Sequence, residues 1–165
     1  MMWGYCKRFV YPDMKKLREV LTQLSDQQKL HILQQKYLGW GPSLYCAARR
    51  DHTEIISTLL TSIQSSADKF KLLMVYEHTP LHAAAFFGHT ESVKVMLDCL
   101  TADQQIQIMS VQDDSWGGKT AIQHAKNDGN SDTVRVLTEY QHRVEGLLKQ
   151  QEQSRLHISL SGRLS

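Results

Sequence analysis

No stretch of apolar residues in the chain is long enough to cross a bilayer. The apolar residues near the start, Trp3, Tyr5, Phe9 and Val10, are interrupted by Lys7 and Arg8, which argues against a membrane span and a secretory leader alike. Cysteine is scarce as well. Cys6, Cys46 and Cys99 are odd in number and lack metal-ligand spacing, so no disulfide framework is implied and an intracellular, by default cytoplasmic, setting is expected. There is no Gly-rich phosphate loop, paired-carboxylate signature or zinc motif, and so no cofactor, metal or small-molecule substrate is expected. Net charge is a modest +2 over 165 residues, the size of one ordinary domain. It is unevenly spread: residues 1 to 50 hold nine Lys and Arg against three acids, and residues 51 to 140 six against twelve. The basic end reads as a solvated cap face, with electrostatic docking to an acidic membrane or nucleic acid surface as the alternative.

What is present is organised around Thr79 to Leu100. Thr79 before Pro80 is a helix start, because the hydroxyl accepts an orphan amide while the ring already holds helical φ. Leu81, His82, Ala83, Ala84 and Ala85 follow, small enough for close helix approach, and Gly88 supplies the left-handed stop. Thr90 then opens a second helix. Glu91 meets its positive end, and Val93, Met96, Leu97 and Leu100 form one apolar stripe. Such a pair cannot bury both faces alone and calls for stacked copies.

The copies are there. Thirty-seven residues upstream, Leu44-Tyr45-Cys46-Ala47-Ala48, Thr53-Glu54 and the stripe Ile56, Leu59, Leu60 and Ile63 repeat the pattern. Forty-one residues downstream, Thr120-Ala121-Ile122-Gln123-His124-Ala125, Gly129, Ser131-Asp132, Val134 and Leu137 do so again. Thr79-Pro80-Leu81-His82-Ala83-Ala84 with Gly88-His89-Thr90-Glu91 resembles the ankyrin repeat, over roughly residues 37 to 140. The resemblance implies an all-α ankyrin-repeat solenoid of stacked antiparallel helix pairs joined by hairpin-like loops. Spacings of 37 and 41 exceed the family period of about 33 residues, so each connection carries an insertion.

Those insertions have their own pattern. Asp26-Gln27-Gln28 and Asp103-Gln104-Gln105 precede apolar residues, and Ala67-Asp68 before Phe70, Leu72, Leu73 and Met74 is a looser relative. Each reads as an extra turn or short third helix, with a strand as the alternative over 72–76. Trp40-Gly41 and Trp116-Gly117-Gly118 mark tight turns. Residues 1–36 align as a degenerate capping repeat, with Leu17, Val20, Leu21 and Leu24 on the second stripe and Asp13 as a helix cap. Residues 37–140 hold three repeats, 141–153 a capping helix and 154–165 a flexible tail. Thr138 and Gln141 replace Leu97 and Leu100, the more polar outer face that a terminal repeat needs.

The family resemblance also assigns roles. It implies that His82 hydrogen-bonds backbone and Thr79, and that His52 and His89 follow the repeat at helix junctions. Cys46 beside the position equivalent to His82 suggests a Cys–His nucleophile, but no orienting group accompanies it, and a buried thiol in place of Ala83 is the simpler reading. No catalysis is expected. The resemblance places partner binding on the concave face, at the residues before the helix-one stop: Arg49 and Arg50, Phe86 and Phe87, Asn127 and Asp128. Hairpin tips add Tyr37, Trp40, Tyr76, His78, Trp116 and Lys119. The implied partner is a protein or peptide, taken up by a monomer or by part of a longer repeat array, with nucleic acid and membrane disfavoured.

Overall fold

The computed structural model describes residues 13–35, 41–75, 78–114 and 117–161, with only the helical backbone described beyond Arg155. Among these residues there are ten helices and no strand: α1 (Met14–Gln23), α2 (Asp26–Leu33), α3 (Ser43–Ala48), α4 (Thr53–Thr61), α5 (Ser66–Leu73), α6 (Pro80–Phe87), α7 (Thr90–Asp98), α8 (Ala102–Ser110), α9 (Ala121–Asn127) and α10 (Ser131–Ser161). The inserted segments are therefore α2, α5 and α8, and the strand alternative over 72–76 gives way to helix and turn over 72–75, residue 76 lying outside the described residues.

The middle copy shows why the pieces form. Thr79 is the N-cap of α6, its Oγ1 accepting from the His82 N–H, and Pro80 occupies the first turn. Gly88 ends α6 at φ +74, and Gly129 repeats that conformation at φ +71 after α9. In the copy before, Asp51 takes the same place at φ +56, and its Oδ1 accepts from the hydroxyls of Thr53 and Ser92, contacts that compensate the steric cost of a side chain there. Asp13 caps α1 through the amides of Lys15 and Lys16, as its position in the sequence implied.

Helices stack in rows. α3, α6 and α9 pack side by side, and α1, α4, α7 and α10 form a second row. Leu44 and Leu81 lie in successive layers of one buried cluster with Ala47, Ala48, Ala84, Ala85, Ala121 and Ala125, whose small side chains let the first row close up. Ile122 continues the column and is half-buried against the same cluster. Paired hydroxyls bridge the second row, Thr53 Oγ1 with Ser92 Oγ and Thr90 Oγ1 with Thr133 Oγ1, both at 2.8 Å.

Four expectations need correction. Val20 is 52% exposed rather than buried on the first stripe, whereas Leu21 beside it is in the core. The third-helix caps are Ser25 and Thr101, which shifts the Asp-Gln-Gln match by one residue and aligns Lys29 with Gln105. Those two are the buried polar residues of the set: Lys29 Nζ donates to Ser62 O at 2.6 Å, and Gln105 Nε2 donates to Leu97 O and Leu100 O. Finally, α10 runs on to Ser161, past the flexible tail expected from Ser154, and its buried residues are Thr133, Val136, Leu137, Tyr140 and Val144. Val134 and Thr138 are half-buried, and the helix packs against α8 and α9 as well as α7.

Candidate functional site

The helix-one ends bring side chains of adjacent repeats together. Phe86 and Phe87 close α6, half-buried and edge-to-face with ring centroids 4.9 Å apart. The Arg49 guanidinium from the previous copy lies over the Phe87 ring, 5.8 Å from its centre, and His89 stacks on the same ring. Arg49 and Arg50 are thus half-buried rather than freely exposed. Asn127 and Asp128 are exposed at the equivalent end of α9.

Backbone capping holds this face in place. His89 Nε2 donates to Arg49 O at 3.3 Å, and Asn130, its counterpart one copy on, donates from Nδ2 to Ala85 O and Phe86 O. Each junction residue therefore satisfies carbonyls at the open end of the neighbouring repeat's first helix. His89 follows the repeat, as expected. Tyr76 and Trp116, like Tyr37 and Trp40, lie outside the described residues, while Lys119 is half-buried where it bridges antiparallel to Asp113.

His78 is the site residue that the structure relocates. It was expected at an exposed tip, yet it is 3% exposed and hydrogen-bonded through Nδ1 to Asp113 Oδ2 at 3.0 Å. His124 Nε2 reaches the same carboxylate oxygen, and both histidines and Asp113 are buried. The imidazoles hold the Asp113 carboxyl below its ordinary range against the opposing effect of burial, so the ionised oxygen accepts and both ring nitrogens donate. Burial in turn pushes His78 below its usual value. Neither Asp113 nor His124 stood out in the sequence. They lie 35 and 11 residues from their partners in this network, far from any local motif.

His82 performs the task its position implied. Its Nε2 faces Val111 O at 3.0 Å, a group that can only accept, so Nε2 carries the proton and the Thr79 hydroxyl donates to Nδ1 at 2.8 Å. Burial lowers its pKa to about 4, which keeps that neutral tautomer. Cys46 donates weakly to Gly41 O and packs against the core, and burial raises the Cys99 thiol to about 11, far from a reactive thiolate.

A family model described as ankyrin repeats, in three copies, matches residues 14–108. The chain belongs to the ankyrin-repeat family. The matched span includes α1 and α2, the degenerate first repeat, and ends inside α8; α9 and α10 extend the ankyrin stack by their packing on α6 and α7. None of the curated proteins compared with the chain matches it. Ankyrin repeats are in general protein–protein interaction modules, typically without catalytic activity. No helix among the described residues is long and apolar enough to cross a membrane. On the basic first repeat Lys15 and Lys16 are exposed and Arg18 pairs with Glu54 at 3.0 Å; Lys7 and Arg8 lie outside the described residues.

Proposed function

We propose that this ankyrin stack is a non-catalytic binding module that takes a protein or peptide segment across the ends of α3, α6 and α9. The observation that carries the reading is the patch of Arg49, Phe86, Phe87 and His89, in which two repeats contribute stacked aromatic and cationic groups that are only half-covered. Partly desolvated aromatics and arginine dominate the energy of protein interfaces. Helix capping does not require the side chains of Arg49, Phe86 and Phe87, since the carbonyls beneath them are bonded by His89 and Asn130. Asn127, Asp128 and Lys119 extend the same face with exposed or half-exposed polar groups, suited to orienting a partner. An intracellular location agrees with Cys46 and Cys99 being in no disulfide. The scaffold is preorganised, so binding entails little backbone change.

The test is affinity capture with wild type beside the Arg49→Ala/Phe87→Ala double variant, followed by titration of the captured partner. The variant is expected to lose at least about tenfold in affinity, as loss of one hot-spot pair implies, with its thermal transition unchanged. Equal capture by the two proteins, or unfolding of the variant, would remove this face from consideration.

A further inference from the structure

Beneath that face, side chains from separate segments converge on one point. His78 comes from the loop before α6, Asp113 from the hairpin before α9, and His124 from α9 itself. One potential ligand atom from each lies within 4.8 Å of the other two. We propose that His78, Asp113 and His124 form a binding site for a divalent transition metal of the zinc type.

The donor set is the first argument. Two imidazoles and one carboxylate make up a common three-residue zinc shell, with the remaining tetrahedral position left for a further ligand. Metal–ligand bonds of 2.0–2.1 Å place the donors of such a shell roughly 3.3 Å apart. His78 Nδ1 and Asp113 Oδ2 stand 3.0 Å apart, so an ion is admitted there by a shift of a few tenths of an ångström; the closer His124 contact must open further.

The second argument is electrostatic. The three residues are 3%, 0% and 2% exposed, and a buried carboxylate is costly unless a cation or several hydrogen bonds offset it. The two imidazoles and the amide of Lys119, 3.4 Å from Asp113 Oδ1, share in offsetting that cost. A divalent ion on Oδ2 compensates it directly.

The third argument comes from the repeat itself. The scaffold does not demand histidine at either position. Where His124 stands, the two preceding copies carry Ala83 and Cys46, and where His78 stands, the neighbouring copies carry Gly41 and Lys119. The motif's structural histidine is His82, and both of its ring nitrogens are engaged by Thr79 and Val111. The surroundings are also rigid. Asp113 is pinned by its backbone bonds with Lys119 and Gly118, and His82 stacks on His78 with ring centroids 5.4 Å apart. A bound ion would cross-link the last two repeats, so its binding energy would add to folding energy.

The experiment uses the full chain without a histidine tag: metal content by mass spectrometry, competition with zinc chloride against a chelating dye, and thermal melting with zinc or with chelator. About one zinc per chain is expected. The melting temperature is expected to rise with zinc and to fall with chelator. His124→Ala, which restores the alanine of the previous copy, and Asp113→Asn should each lower affinity at least about tenfold, whereas His31→Ala, at an exposed position on α2, should not. Two variants, one removing and one preserving side-chain volume, keep the test valid if either fails to fold. Absence of bound zinc together with superimposable melting curves overturns the proposal. Zinc retained equally by His124→Ala and Asp113→Asn overturns it too, since that metal sits elsewhere.

Discussion

Gly88 concentrates more constraint than any other single residue described. Its φ of +74 is unfavourable for an L side chain, and a Cβ there would sit 2.8 Å from Asn130 Oδ1, the amide that caps α6 from the next repeat. Gly129 has nearly the same φ but nothing within 4 Å of an added Cβ. Gly129→Ala is therefore expected to cost about 1 kcal/mol, the left-handed penalty alone. Gly88→Ala is expected to cost about 3 kcal/mol, because Asn130 is displaced and its two hydrogen bonds are lost. Urea denaturation of both variants checks the difference. Combining Gly88→Ala with Asn130→Ala should be less than additive, and full additivity would show that Asn130 is not the obstacle. The identity of Gly88 as a stop was legible from the sequence. Its second role was not, because Asn130 lies 42 positions on and reaches it only through stacking.

The third helices are the elements that set this chain apart from a shorter repeat. Their existence was readable, since Ser25 with Gln28 and Thr101 with Gln104 form capping boxes ahead of apolar residues. Their function is a matter of packing. Gln105, 6% exposed in α8, donates to Leu97 O and Leu100 O, tying α8 to the C-terminal end of α7 and the turn after it. Gln105→Leu keeps the volume but removes the amide donor; Leu97 O keeps its bond from Leu100 N–H, while Leu100 O loses the Gln105 amide. It is expected to destabilise by about 2 kcal/mol, the cost of one buried carbonyl losing its donor, read from the denaturation midpoint at constant m-value. No change would mean that water replaces the amide. The one-residue shift between the Asp-Gln-Gln match and the true cap register arose because composition was aligned where geometry follows the capping hydroxyl.

At the scale of the stack, stability follows the nearest-neighbour logic of repeats, in which the repeat of α9 and α10 is held by its interface with the repeat before it. α10 supplies Val136, Leu137, Tyr140 and Val144 to that interface, with Tyr140 Oη donating to Asp98 and Arg143 stacked 4.1 Å from the Tyr140 ring centre. Beyond Val144 the described side chains are exposed apart from the half-buried Leu148. Truncation after Leu148 is accordingly expected to leave the melting temperature unchanged. Truncation after Ser131 removes four buried apolar side chains worth about 2 kcal/mol each, and buried Thr133 with them; the loss is comparable with the total stability of a domain and is expected to unfold the last repeat. Scanning calorimetry of the two truncations distinguishes them. A large loss in the first would mean that the distal part of α10 is held to the stack.

What the sequence determined by itself was local and periodic: hydroxyl caps, a proline start, glycine stops, apolar stripes and their recurrence at 37 and 41 residues. These depend on φ, ψ and on neighbours within one or two turns, so they are written in short segments. Tertiary structure alone decided the rest. It packed α10 against α8 and α9 as well as α7, left Val20 exposed, and drew His78 inward to meet Asp113 and His124. The physical reason is that burial of a polar side chain depends on partners supplied by other repeats, and no pattern within a single repeat encodes which partner arrives.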